Sequence, residues 1–190
     1  MRYRIHPLYK KLLLLVIVIG PFFWLVFTED GQWRTDTVLL SLLGRVELNL
    51  ALERLHPELT EEALRGLYPD LDLDCGALAN PLGNRVCAAR IGTFNGIPAD
   101  RLTLFFDRDR LNAVKVNYRR NYHERLVRSF HRRIGAPQGS DSARDDGEAA
   151  THTWRVDHGV VAMRAGQLGR EEEAAVLWLS RAAPGLGPAF

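Results

Sequence analysis

Between Leu12 and Phe27 the chain reads LLLLVIVIGPFFWLVF, sixteen residues without a charge. At a helical rise of 1.5 Å each, they cover about 24 Å of a hydrocarbon layer about 30 Å thick. Lys10 and Lys11 can stretch toward the headgroups, and Tyr9 and Trp24 supply rings suited to the interface, so the stretch predicts a membrane-spanning helix. A buried core helix is the competing reading, and flanks this basic argue against it. Gly20-Pro21 predicts a bend within the span. Arg2, Arg4, Lys10 and Lys11 precede the apolar run with no acid among them, whereas Glu29 and Asp30 follow it, which orients the N-terminus to the cytoplasm. Phe27-Thr28-Glu29-Asp30 offers no small-residue cleavage pattern and no Cys for lipid attachment, so the segment reads as an uncleaved signal anchor.

This anchor divides the 190 residues into a basic cytoplasmic tail over 1–11, the span over 12–28, a helical juxtamembrane segment over 29–58, an extracytoplasmic α+β domain over 59–181 and a flexible tail over 182–190. One compact domain is what that length supports. A net charge of +2 and a charged fraction of 25% exclude a disordered polyelectrolyte and a nucleic-acid-binding type, so any basic partner site must be local. The short span and the lack of an N-x-S/T sequon favour a bacterial inner membrane, with the domain in the periplasm.

Cys75 and Cys87 agree with an oxidising compartment. They enclose a stretch containing Gly76, Asn80-Pro81 and Gly83-Asn84, turn chemistry that can bring the two thiols together, and a disulfide is expected. A redox pair would more typically be C-x-x-C, and zinc would want two further ligands nearby.

From 32 to 55 the pattern is ambiguous. Leu39, Leu43, Val46 and Leu50 fit a helical stripe, while Val46, Leu48, Leu50 and Leu52 alternate like a strand; the expectation here is helix from about Asp36, broken near Gly44. Thr60 followed by Glu61 and Glu62 predicts the start of a short helix that stops before Pro69. Val86 to Phe94, Leu102 to Phe106 and Leu111 to Tyr118 read as an antiparallel meander, with Asn95-Gly96 and Asp107 to Arg110 as turns. Tyr122, Leu126, Phe130 and Ile134 recur every four residues, and Gly135 with Pro137 closes that helix. Gln138 to Ala150 reads as a loop, and three more strands follow over 151–156, 160–165 and 174–180. Helix, three strands, helix, three strands is an αβββ unit used twice, with helices covering an antiparallel sheet.

This element order resembles the BamE-type (SmpA/OmlA) envelope lipoproteins and the tandem fold of the β-lactamase inhibitory proteins. The likeness runs from about Thr60 to Ser180, on the hairpin over Leu102 to Tyr118 and the helix over Tyr122 to Pro137. It implies a protein-binding role by analogy of fold. The chain departs from those lipoproteins in carrying an apolar anchor where they carry a lipidated Cys, and no functional residue transfers.

Chemistry-bearing clusters are sparse. Asp70, Asp72 and Asp74 invite a calcium reading, but the positions an EF-type loop needs as Gly and acid are Cys75 and Pro81, so a half-exposed extended segment is expected. The six histidines show no metal-ligand spacing, and neither a G-x-S-x-G elbow nor a phosphate-binding Gly-rich loop occurs. No cofactor, metal or catalytic residue is therefore expected. The densest local feature is cationic: Arg119, Arg120, Arg125, Arg128, Arg132 and Arg133 share fifteen residues with one acid, Glu124. Such a run reads as a solvated face, or as a docking face for an acidic protein or anionic headgroups.

These features point to a membrane-tethered, non-catalytic module that binds another envelope protein, with Arg119, Arg120, Arg125, Arg128 and Arg132 as a basic partner face. A tethered enzyme or small-ligand binder, with a pocket lined by Trp154, Trp178 and Phe105, is the alternative. An accessory subunit held through the anchor itself is a third.

Overall fold

A computed structural model of the chain describes residues 7–42, 45–138, 150–169, 171–181 and 183. The first helix, α1, runs Pro7–Phe27 with Pro21 inside it. Over Leu8–Phe27 it is long and apolar enough to cross a membrane. Thr28 then turns the chain: its hydroxyl donates to the carbonyl of Trp24 at 2.6 Å and accepts from the Gly31 amide at 3.1 Å. The second helix, α2, runs Glu29–Leu42, so it begins seven residues before the expected Asp36. The corner is tight. A Cβ at Gly31 would lie 2.2 Å from the Trp24 carbonyl oxygen and 2.6 Å from the Leu25 Cα.

Beyond residue 45 the helical reading gives way to the alternating one. Leu48, Leu50 and Leu52 are buried while Glu47 and Asn49 are exposed, and Glu47–Leu48 forms strand β1. Burial against a sheet edge decides between two periods that the residues satisfy equally. Thr60 caps helix α3, Glu61–Leu67, accepting from the Ala63 amide at 3.2 Å. Leu71 and Leu73 are buried between exposed Asp70, Asp72 and Asp74, as an extended segment requires.

The sheet proper comprises β2 (Asp74–Asn80), β3 (Gly83–Arg90), β4 (Thr93–Phe94), β5 (Ile97–Asp107), β6 (Arg110–Tyr118), β7 (Thr151–Val156), β8 (Gly159–Arg164) and β9 (Ala175–Ser180). The meander is present as β3, β5 and β6, but the expected strand over 86–94 is split into β3 and β4. Asn95 and Gly96 take φ of 50° and 75° between β4 and β5, and Arg108 and Asp109 take 49° and 62° between β5 and β6. These are the left-handed pairs that tight antiparallel hairpins need.

Strand β2 falls where a turn-rich loop is expected. The turns are real, but only the stretch around Pro81-Leu82 reverses the chain, and Cys75 to Asn80 pairs antiparallel with β3. Both halves belong to a single sheet, because β6 pairs antiparallel with β9 and β9 with β8 and β7 beyond. One row of residues crosses all seven long strands: Cys75, Cys87, Leu104, Val114, Trp178, Val161 and Trp154 stand in register. From Cys87 to Trp154 every member of the row is buried, so one face of the whole sheet is a common core.

Helix α4, His123–Ile134, lies on that core face. Leu126 and Phe130 are buried, and the Phe130 ring sits 5.6 Å from that of Trp154. Gly135, at φ 101°, ends the helix, and its carbonyl accepts from the Trp154 indole at 3.0 Å. Most of the expected 138–150 loop and of the 182–190 tail, and residues 1–6, lie outside the described residues.

Candidate functional site

The opposite face of the sheet has a different character. On β5, β6 and β9 the residues alternating with the core row are Thr103 and Phe105, Ala113 and Lys115, and Leu177 and Leu179; Ala113 is buried and the other five are half-buried. Val86 on β3 and Ala162 on β8 extend the same surface. Lys115 stands among them on the central strand β6, between Thr103 and Leu177, and pairs with Glu173 2.6 Å away, the main reason the Glu173 carboxyl sits below its ordinary range. The face thus carries an apolar row, Val86, Phe105, Ala113 and Leu179, beside a mixed row in which Thr103 and Lys115 adjoin Leu177.

The arginines expected to act together divide. Arg119, just past β6, turns to Asp36 of α2 at 2.8 Å, and Asp36 also accepts from the Tyr122 hydroxyl at 2.8 Å. Burial first, and then that bond, push the Tyr122 hydroxyl up to about 12. Arg125 lies over the Trp33 ring, 4.1 Å from its centre, and the Trp33 indole donates to the Gly96 carbonyl at 2.8 Å. Arg119 and Arg125 therefore fasten α2 to the sheet domain. Arg133 pairs with Glu53.

Arg120, Arg125, Arg128 and Arg132 line one side of an open cleft of about 990 Å³. Trp24, Thr28 and Gln32, from the α1–α2 corner, line the other. Arg120 also donates to the Glu172 carbonyl at 3.0 Å. Arg128 and Arg132 are exposed, and no acid among the described residues pairs with either. The corner residues are absent from the sequence-based site because nothing in a sequence joins residue 24 to residue 132.

Cys75 and Cys87 form a disulfide between directly opposed strand positions. Glu61 lies beside it and accepts from Arg85 at 2.6 Å and Arg65 at 3.0 Å; the Arg85 bond chiefly holds its carboxyl below the usual range. Glu61 and the two sulfurs are grouped as closely as a metal triad would be, but the likeness is one of spacing alone. Bonded sulfurs are not thiolates and the carboxylate is taken up by two arginines, so the group supplies no ligand set.

The histidines pair across elements. His131 of α4 and His152 of β7 lie with ring centres 5.9 Å apart, and His56 and His158 lie 6.0 Å apart. His123 is buried with Nδ1 2.6 Å from the Tyr118 hydroxyl. Burial lowers the affinity of His123 and of His152 for a proton, and neighbouring His131 adds to the effect on His152. Trp154 and Trp178, expected at a pocket, are fully buried in the core and line neither the arginine cleft nor the smaller hollow of about 350 Å³ beside the β2–β3 turn.

Compared with protein families, curated proteins and solved structures, the chain finds no match in any of the three.

Proposed function

We propose that this is a membrane-tethered, non-catalytic envelope protein that binds another protein through the open face of its sheet. The observation that carries the reading is that face: Phe105, Leu177 and Leu179 half-buried in one strip, with helix α4 packed on the other side of the sheet. A patch of apolar side chains interspersed with polar ones is what a protein interface presents before its partner arrives. The arginine helix, read from sequence as a second docking face, contributes less, since Arg119 and Arg125 are engaged internally.

In this proposal α1 spans a bacterial inner membrane with its N-terminus cytoplasmic, following the positive-inside rule, and the disulfide-closed domain faces the periplasm. In the same proposal the two halves are related αβββ units, α3 with the long strands β3, β5 and β6, and α4 with β7 to β9, meeting at β6 and β9, with β2 and β4 added to the first; this arrangement supports a likeness in fold to the BamE-type domains.

A photo-crosslinking residue at Leu177 of the full-length chain in its native membrane tests the docking face. One reproducible protein adduct is expected there, and none from the same probe at Leu67, which is exposed on α3. Leu177→Asp should abolish co-purification of that partner. Equal labelling from both positions would discard the sheet face.

A further inference from the structure

We infer that the arginine-lined cleft at the foot of α1 binds the phosphate-bearing headgroups of the bilayer, an inference that rests on the reading of α1 as a membrane span. Position is the first argument. Trp24 stands one turn before the end of α1, and Thr28 and Gln32 follow just beyond it. The apolar run of a spanning helix stops where the headgroups begin, and a Trp at that depth belongs to the interface. A cleft walled by these residues therefore opens at the level of the lipid phosphates.

Chemistry is the second. Arg128 and Arg132 present exposed guanidinium groups to this space, beside Arg120 and Arg125, which are engaged on the Glu172 carbonyl and the Trp33 ring, and Glu124 is the one acid among the described lining residues. Guanidinium presents paired donors that match two phosphate oxygens, and it is less strongly hydrated than an ammonium. Asn121 and Gln167 add neutral donors and acceptors suited to headgroup hydroxyls.

Rigidity is the third. Close approach at Gly31, the Trp33 bond to Gly96 and the Asp36 contacts to Arg119 and Tyr122 join the end of α1 to α4 through one chain of contacts. The arginines are thereby held at a set height above the end of the span. An acidic protein would have to enter between domain and bilayer to reach them, whereas lipid is already there.

The test titrates the full-length chain in uncharged detergent with dioctanoyl phosphatidylglycerol, dioctanoyl phosphatidylcholine, inorganic phosphate and a glutamate-rich peptide, reading binding by native mass spectrometry. Phosphatidylglycerol should bind at least about tenfold more tightly than phosphatidylcholine, and added salt should weaken it. The double variant Arg128→Glu with Arg132→Glu should lose at least about tenfold, since each cation near such a surface is worth about fivefold. Arg155→Glu, exposed on β7 and outside the cleft, should bind as the parent chain does. Unaltered circular dichroism in both variants separates loss of binding from loss of fold. Equal affinity for the two lipids, or a double variant that binds normally, overturns the site. Inorganic phosphate or the peptide binding as tightly as phosphatidylglycerol overturns the lipid assignment. Alkaline extraction of native membranes reads the span by itself. Release of the chain would undo the reading of α1, while a retained chain indifferent to phosphatidylglycerol would undo only the headgroup site.

Discussion

The guanidinium carbon of Arg125 lies 4.1 Å from the centre of the Trp33 ring, so a helix late in the chain clasps the helix that leaves the apolar segment. The Trp33 indole is spent on the Gly96 carbonyl, leaving its ring face for the cation. Trp33→Ala removes both contacts and part of a packed ring, and should lower stability by about 2 kcal/mol. Arg125→Lys retains the charge but gives up the flat stack, and should cost less than about 1 kcal/mol. Chemical denaturation of the full-length chain in detergent measures both.

The Cys75–Cys87 bond joins positions twelve apart on neighbouring strands. Cross-linking a loop of this size restricts the unfolded chain, and its loss should cost about 3 kcal/mol. The variant Cys75→Ala with Cys87→Ala should unfold at a correspondingly lower guanidinium concentration. The parent chain under reductant should shift to match it, and no shift in either would mean that β2 and β3 are held by their ladder alone.

Stability should fall in mild acid. Burial depresses proton affinity at His123 and, with help from His131, at His152, so the unfolded chain binds protons more readily than the folded one. The stabilisation is fully present above the unfolded value of about 6.5 and is lost as pH drops below it toward the folded values. The urea midpoint should therefore decrease from pH 7.5 to pH 5. His152→Gln should flatten that slope, and a slope unchanged by it would assign the acid sensitivity elsewhere.

The α1–α2 corner depends on Gly31. A Cβ there would meet the Trp24 carbonyl oxygen at 2.2 Å, and the atoms in the way are backbone. Gly31→Ala should force the helices apart and lengthen the distance between spin labels at Gln32 and Asn121, two positions across the cleft. An unchanged distance would show that the corner can relax without opening the cleft.

The chain's local chemistry was readable without coordinates wherever neighbours in sequence decide the outcome. The apolar run of α1, the Thr60 cap, the Asn95-Gly96 turn and the four-residue stripe of α4 are of this kind, because a few adjacent residues satisfy or break the backbone hydrogen bonds that define each element. The path from Val46 to Leu52 was not, since the helical stripe and the strand alternation both run through Val46 and Leu50 and only the sheet edge beside them chooses. Strand β2 was hidden for a related reason: Gly76 and Asn80-Pro81 carry turn signals, and the pairing with β3 that overrides them is a contact between strands.

Tertiary structure alone decided the rest. Joining β6 to β9 places residues some sixty positions apart in one ladder, and it makes the row from Cys87 to Trp154 a single core with a half-buried face behind it. The same long-range packing sets Arg119 against Asp36, His131 against His152, and Trp24 across from Arg132. Composition supplies those side chains, but their distances follow from how sheet register and helix packing close the chain on itself, and no local preference encodes that closure.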